Sequence, residues 1–274
     1  MMNETFTVFG ANGFIGSALC KHLRASAFNV NAVGRSSWPD KGLELGHIIY
    51  AAGMTSRFLE LPFSTVETQV SLPARILENY QFSSFLYLSS TRLYKTAQTT
   101  AENAVFKVSP TVPADIYTLT KTAAECLCFA QVNPNVRVAR LSNVYGQFRQ
   151  HVVSLASMLA DAVNNGHVTF RSSPESSKDY VSLNDVVSIL PKISLEGKEQ
   201  LFNVATGKNT TNLALANAFE NLGITTSFED RAETIIDKVV DVTRLSTEFG
   251  FARDRISEDL AELLQQTSQH FSSL

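Results

Sequence analysis

Apolar and polar positions along the chain change period several times. Thr5-Phe6-Thr7-Val8-Phe9 is short and rich in β-branched and aromatic residues, which predicts a first strand. Ser17 to Leu23 then carries apolar residues at helical spacing. Asn29 to Val33 reads as a second strand, and Phe85-Leu86-Tyr87-Leu88 as a buried one. Ile116 to Phe129 reads as a helix. Alternating strand and helix signals over residues 1–146 predict an α/β fold with a parallel sheet.

Between the first strand and the first helix lies Gly10-Ala11-Asn12-Gly13-Phe14-Ile15-Gly16. Strand, glycine-rich turn and helix in that order suit an anion held at a helix N-terminus. Gly10 permits a tight turn, Gly13 lets the backbone approach a pyrophosphate, and Gly16 allows close helix–strand packing. The spacing is Gly-x-x-Gly-x-x-Gly rather than the commoner Gly-x-Gly-x-x-Gly. The turn alone is weak evidence; its place between the first strand and helix supports a dinucleotide.

Ser89, Ser90 and Thr91 follow the buried strand, at the sheet edge where open parallel sheets bind ligands. Tyr117 and Lys121 are one helical turn apart on one face of the later helix. A phenol ionises near pH 10, and a nearby ammonium favours its phenolate. Such a pair could give or take a proton while hydride moves at the same carbon. Alone, it would read as a surface pair; the order of all three elements argues for redox chemistry at a carbon bearing oxygen.

Composition sets limits. The chain has 274 residues, 44% of them hydrophobic and 18% charged, with net charge −3. That suits one globular unit, or a large domain with a small appendage. The near-neutral balance argues against nucleic acid as a partner. No apolar run reaches membrane-span length and no basic-then-apolar signal opens the chain, so a cytoplasmic protein is expected. Cys20, Cys126 and Cys128 have no metal-type spacing, so no metal is expected. His151 lies near the expected substrate side but reads as a surface residue.

The chain resembles the extended short-chain dehydrogenase/reductases of the nucleotide-sugar epimerase/dehydratase/ketoreductase type. The likeness runs through His47 to Gly53, Ser89-Ser90-Thr91-Arg92-Leu93-Tyr94, and Tyr117-x-x-x-Lys121-x-x-x-Glu125. It continues through Ala139 to Gly146, Lys178 to Val186, Phe202 to Gly207, and Asp241 to Leu245 before Phe249-Gly250-Phe251. It implies a Rossmann-type doubly wound parallel sheet, residues 1–146 plus 180–206. A smaller substrate-binding lid and C-terminal helix would come mainly from residues 147–179 plus 207–274. It implies Ser90, Tyr117 and Lys121 as catalytic residues, with Lys121 also binding the nicotinamide ribose. Cofactor contacts are implied for Gly10, Asn12, Gly13, Phe14, Ile15, Gly16, Arg35, Ser36, Ala51, Ala52, Gly53, Thr55, Tyr117, Lys121, Leu141 and Val144. Substrate contacts are implied for Thr91, Arg92, Asn143, Lys178 and Arg231, and a homodimer through the catalytic helix by analogy.

Four departures refine that expectation. The second strand ends in Gly34-Arg35-Ser36-Ser37, where an acid usually binds the ribose hydroxyl of NAD; Arg35 leans toward NADP(H) over NAD(H). Only Trp38 to Gly46 separates this turn from the His47 strand, short enough to delete a strand of the sheet. Thr91-Arg92 stands where related dehydratases carry Asp-Glu, which argues against dehydration. Lys178 replaces the diphosphate-binding arginine of the family and lacks its bidentate fork. These features favour an NAD(P)-dependent 4-keto-sugar reductase. A nucleotide-sugar 4-epimerase with tightly held NAD stays open, as does a catalytically silent NADP(H) sensor or scaffold.

Overall fold

The computed structural model describes residues 4–146, 154–250 and 253–272. His151 and Phe251, named above, lie outside the described residues, as do residues 147–153 of the expected lid. The first part runs β1 (Thr5–Phe9), α1 (Phe14–Ala25), β2 (Asn29–Val33) and β3 (His47–Tyr50). A helical stretch follows, α2 (Pro62–Val66) and α3 (Leu72–Asn79), joined by a π-helical turn at Glu67–Ser71. Then come β4 (Ser84–Ser90), α4 (Ile116–Phe129), β5 (Val136–Leu141) and β6 (Asn143–Tyr145). The remainder comprises α5 (Ser154–Asn165), β7 (His167–Phe170), β8 (Ser177–Ser182), α6 (Leu183–Glu196) and β9 (Leu201–Val204). It ends with β10 (Asn209–Thr211), α7 (Asn212–Glu220), β11 (Thr225–Phe228), α8 (Thr243–Phe249) and α9 (Ile256–Ser272).

Six strands form one parallel sheet in the order β2-β1-β3-β4-β5-β9. All its strands but β2 are largely buried on both faces, as a sheet covered on both sides requires. Phe6, Val8, Ile49, Leu86, Leu88, Leu141 and Val204 point into one core with Leu19 and Leu23 of α1 and Leu190 of α6. The alternate positions Phe9, Ile48, Tyr50, Phe85 and Tyr87 fill a second core with Ile76 of α3 and with Ala124 and Cys128 of α4. A one-residue slip would exchange these sets, so the pattern pins the register. Phe9 pairs with Tyr50, Tyr50 with Tyr87, and Ser90 with Leu141, which aligns the strand ends carrying the candidate site.

The shortened segment has the expected consequence. Residues 34–46 contain no strand, only a bridge from Glu44 to Gln81, and β2 is left as the sheet edge with most of its residues exposed.

A third core unites α5, β7, α7, β11 and α9 through Leu159, Phe170, Phe219 and Leu260. Within residues 180–206 only β9 joins the main sheet. The β8 strand pairs with β6 and β10 in a three-stranded sheet, because Asn143–Tyr145 runs alongside Tyr180–Ser182. In the last segment, α8 buries Leu245 in the main core whereas α9 joins the third one. No helix among the described residues is long and apolar enough to cross a membrane, and none of their His, Cys, Asp and Glu clusters could hold a metal ion.

Candidate active site

The glycine turn crosses the C-terminal end of β1 at close quarters. Gly10 has φ +80°, and a Cβ there would stand 2.6 Å from the Ala52 nitrogen, so only glycine fits. A Cβ on Gly16 would collide with the Gly10 carbonyl. Gly13 caps α1 with no side-chain hydrogen bond, and no acid sits in the first turn. Asn12 and Gly13 are exposed, while Phe14 and Ile15 pack partly into the main core. The first amides of α1 therefore face outward at the positive end of the helix dipole, a cradle that suits a pyrophosphate.

The end of β2 lies against this turn. The Gly10 and Ala11 amides both donate to the Val33 carbonyl, at 3.0 and 3.2 Å. The Asn12 amide nitrogen lies 2.8 Å from where a Gly34 Cβ would be. Arg35 and Ser36 follow, both exposed. At β3, the Ala51 amide donates to Phe9, Ala51 and Ala52 are half-buried, and Gly53 and Thr55 are exposed. The first atom above Gly53 is the Lys121 Nζ, 3.6 Å from an added Cβ.

Three candidate catalytic residues meet here. Ser90 ends β4 and caps the 3-10 turn Thr91–Thr96, accepting from the Arg92 amide at 3.2 Å. Tyr117 is buried on α4; burial raises its pKa, while a hydrogen bond with Ser90 and the charge of Arg92 pull it back down. Lys121 is fully buried and donates to the Leu88 carbonyl at 2.8 Å, with Nζ 4.7 Å from the centre of the Tyr87 ring. Burial lowers its pKa to about 8, with Glu125 opposing.

The Lys121 ammonium is turned to Leu88 and Tyr87, and Arg92 is a cation that opposes the rise in the Tyr117 pKa. The Arg92 guanidinium lies 5.0 Å from the Tyr117 ring centre and 4.9 Å from that of Phe58. Thr91 is half-buried beside it.

The remaining residues are placed less tightly. Leu141 and Val144 pack in the main core at the ends of β5 and β6. Asn143 donates to the Asp179 carbonyl at 2.8 Å. Lys178 lies near Asp237, whose pKa is raised by desolvation and lowered by Lys178, Lys95, Arg92 and Lys238. Arg231 is exposed with φ 58° on the turn after β11. Among the described residues it forms no hydrogen bond or ion pair with Asn143, Lys178 or Tyr117.

Several supporting residues had been given no role from the sequence. Buried Gln69, on the π-helical turn, donates to the Met54 carbonyl at 2.7 Å and accepts from Thr120 at 2.8 Å, tying the loop after β3 to α4. Glu125 accepts from Ser89 at 2.5 Å and pairs in bidentate fashion with Arg140, which also donates to Tyr94 and to the Glu102 carbonyl. Asp179 accepts from Ser142, Thr206, Gly207 and Lys208, stapling the β9–β10 turn to β8. A Glu one turn beyond Lys121 was the available signal for Glu125; Gln69 and Phe58 carried none.

The chain has the fold of several solved structures. MoeE5 in complex with UDP-glucose and NAD superposes with TM-score 0.79 at 21% identity, over 97% of this chain and 99% of that one. UDP-glucuronic acid 4-epimerase from Bacillus cereus, with UDP-glucuronic acid and NAD, gives TM-score 0.77 at 16% identity, covering 97% and 99%. RMD from Pseudomonas aeruginosa complexed with NADPH gives TM-score 0.77 at 19% identity, also covering 97% and 99%. No match was found among curated protein sequences. A family model for the NAD dependent epimerase/dehydratase family matches residues 44–205, more than half of the chain. That span carries Gly53 after β3, Ser90 at the end of β4, and Tyr117 and Lys121 on α4, and the chain belongs to the NAD dependent epimerase/dehydratase family.

Proposed function

We propose that this enzyme reduces the 4-keto group of a nucleotide-linked sugar with NADP(H). The observation that carries the reading is the convergence of Ser90, Tyr117 and Lys121 at exposed Gly53. When bound, the nicotinamide cofactor supplies the hydride to the carbonyl carbon. Tyr117 then delivers its proton to the carbonyl oxygen while Ser90 hydrogen-bonds that oxygen. Lys121 would hold the nicotinamide ribose. Its pKa of about 8 and its site under Gly53 suit a buried donor.

The residues present fit a dinucleotide. Gly10, Asn12, Gly13, Phe14, Ile15 and Gly16 would hold the pyrophosphate, and Arg35 with Ser36 the 2′-phosphate. Ala51, Ala52, Gly53 and Thr55 would floor the cofactor, with Leu141 and Val144 beside the nicotinamide. The substrate would lie between the Rossmann part, 1–146 plus 180–206, and a lid formed mainly by 147–179 plus 207–274. Thr91, Arg92, Asn143, Lys178 and Arg231 would bind it. An exposed groove of Phe106, Val108, Leu119, Thr122, Ala123 and Cys126 on the outer face of α4 supports a homodimer through that helix.

A 4-epimerase is the second reading, supported by the likeness to the Bacillus cereus 4-epimerase bound to NAD. The test is to supply NADPH with a panel of nucleotide 4-keto-sugars, and separately the parent nucleotide sugars without added cofactor. Reduction consumes NADPH in equal amount with the 4-hydroxy sugar formed. Interconversion of two C4 epimers with no net nicotinamide change would favour the epimerase. Inactivity in both arms with tight NADP(H) binding would leave a sensor.

A further inference from the structure

Trp38 is the single tryptophan of the chain, and 39% of it is exposed although the segment that carries it is fastened on both sides. The hydroxyl of Ser37, before it, accepts from the Gly34 amide at 2.8 Å. The carbonyl of Pro39, after it, accepts from the Tyr80 hydroxyl at 2.7 Å. A residue that precedes proline is steered toward extended backbone, which further limits where the indole can go. Its ring rests on that of Phe9, with centres 5.1 Å apart and planes at 59°. Phe9 is the last residue of β1 and almost wholly buried, and Gly10 begins the glycine turn directly after it. The indole therefore lies at the C-terminal edge of the sheet, next to the cradle that suits a pyrophosphate.

The shortened segment gives this ring its setting. β2 is the edge of the sheet, and residues 34–46 supply no strand beyond it. Trp38 is the only aromatic residue in that stretch. A dinucleotide with its pyrophosphate on the first amides of α1 and its adenosine ribose at Arg35 has its base one ribose beyond the cradle, against the chain that follows Arg35. Arg35, Ser36 and Ser37 offer polar groups to the ribose and its phosphate; among residues 34–46 Trp38 alone offers an aromatic face. Bases stack on such a face whatever their hydrogen-bonding edge, and a ring already held in place loses little freedom when one binds. Covering Phe9 needs no indole, since an aliphatic side chain would exclude water equally well.

We propose that the adenine of the cofactor stacks on the indole of Trp38. This rests on the cofactor reading above. The test pairs tryptophan emission with calorimetric titration of NADP⁺, NAD⁺, ADP and adenosine 2′,5′-bisphosphate; the last two carry the base without nicotinamide. In the wild type, an adenine fragment should quench the single tryptophan saturably, over the concentrations at which calorimetry records its binding. Trp38→Leu keeps Phe9 covered but has no π face. It should weaken NADP⁺ and NAD⁺ by the same factor, about 5- to 150-fold, because both carry the base. Trp38→Phe should restore most of that loss. Fragments that bind without changing the emission overturn the inference, and this arm needs no variant to fold. Wild-type affinity in Trp38→Leu overturns it too, and leaves Trp38 as a cover for Phe9. So does a loss confined to NADP⁺, which would mean that Trp38 acts only by placing Arg35. If the wild type binds neither dinucleotide nor fragment, the cofactor reading falls together with it.

Discussion

The Arg92 guanidinium lies 5.0 Å from the centre of the Tyr117 ring and 4.9 Å from that of Phe58. Burial holds the Tyr117 hydroxyl above its usual range, and Ser90 and Arg92 oppose that shift. Alcohol oxidation needs the phenolate, so activity falls on the acidic side of this ionisation. Removing a cation that favours the phenolate moves that limb upward. The acidic limb of kcat/KM for oxidation should therefore shift to higher pH in Arg92→Gln; a limb that stays put would show that Arg92 does not act on Tyr117.

Tyr117→Phe keeps the ring against Phe58 and removes only the hydroxyl. Fold and cofactor affinity should survive, and kcat should drop about 10²- to 10⁴-fold, the usual contribution of general acid–base catalysis. Steady-state turnover beside NADP(H) titration checks both halves. Wild-type turnover in this variant would remove Tyr117 from the chemistry.

Lys121 gives a pH signature in stability. Its folded pKa is about 8, below the ordinary lysine value of 10.5. Between those values the unfolded chain binds more protons, so stability rises with pH. The contribution is present above the unfolded value and is lost as pH falls through about 8. Between pH 8 and 10 the wild type should gain up to about 1.4 kcal/mol per pH unit relative to Lys121→Met. Urea unfolding of the cofactor-free protein across that window measures it, and parallel curves would mean that the ammonium is not buried.

Arg35 is exposed at the end of the edge strand β2. If it binds the 2′-phosphate, Arg35→Ala should weaken NADP(H) roughly 10- to 150-fold, the equivalent of a charged hydrogen bond, and leave NAD(H) nearly unchanged. Fluorescence titration of both cofactors decides, and tighter NAD than NADP binding in the wild type would refute the assignment at the outset.

The Glu125–Arg140 pair is almost fully buried, at 2% and 3% exposure. Removing one partner leaves a buried charge without its counter-ion, which costs about 3–5 kcal/mol. Glu125→Gln should lower the denaturant midpoint accordingly. A change below about 1 kcal/mol would mean that water or rearrangement compensates.

Local pattern was enough for much of this molecule. Period-two apolar runs and helical spacing placed β1, β2 and α4 at their observed limits, because such signals depend on neighbours in sequence. The glycine turn was legible for the same reason: Gly10 needs positive φ and has no room for a Cβ. Other features exist only where distant segments meet. One is the hydrogen bond that Ser89 of β4 donates to Glu125 of α4. The cation at Tyr117 was decided by the 3-10 turn after β4, which lays Arg92 across the ring while Lys121 turns to Leu88. The Gln69 link from Met54 to Thr120 and the binding of four residues by Asp179 likewise had no sequence period to reveal them. Hydrophobic spacing specifies which face of an element is buried; which polar groups meet there depends on the long-range docking of one element against another.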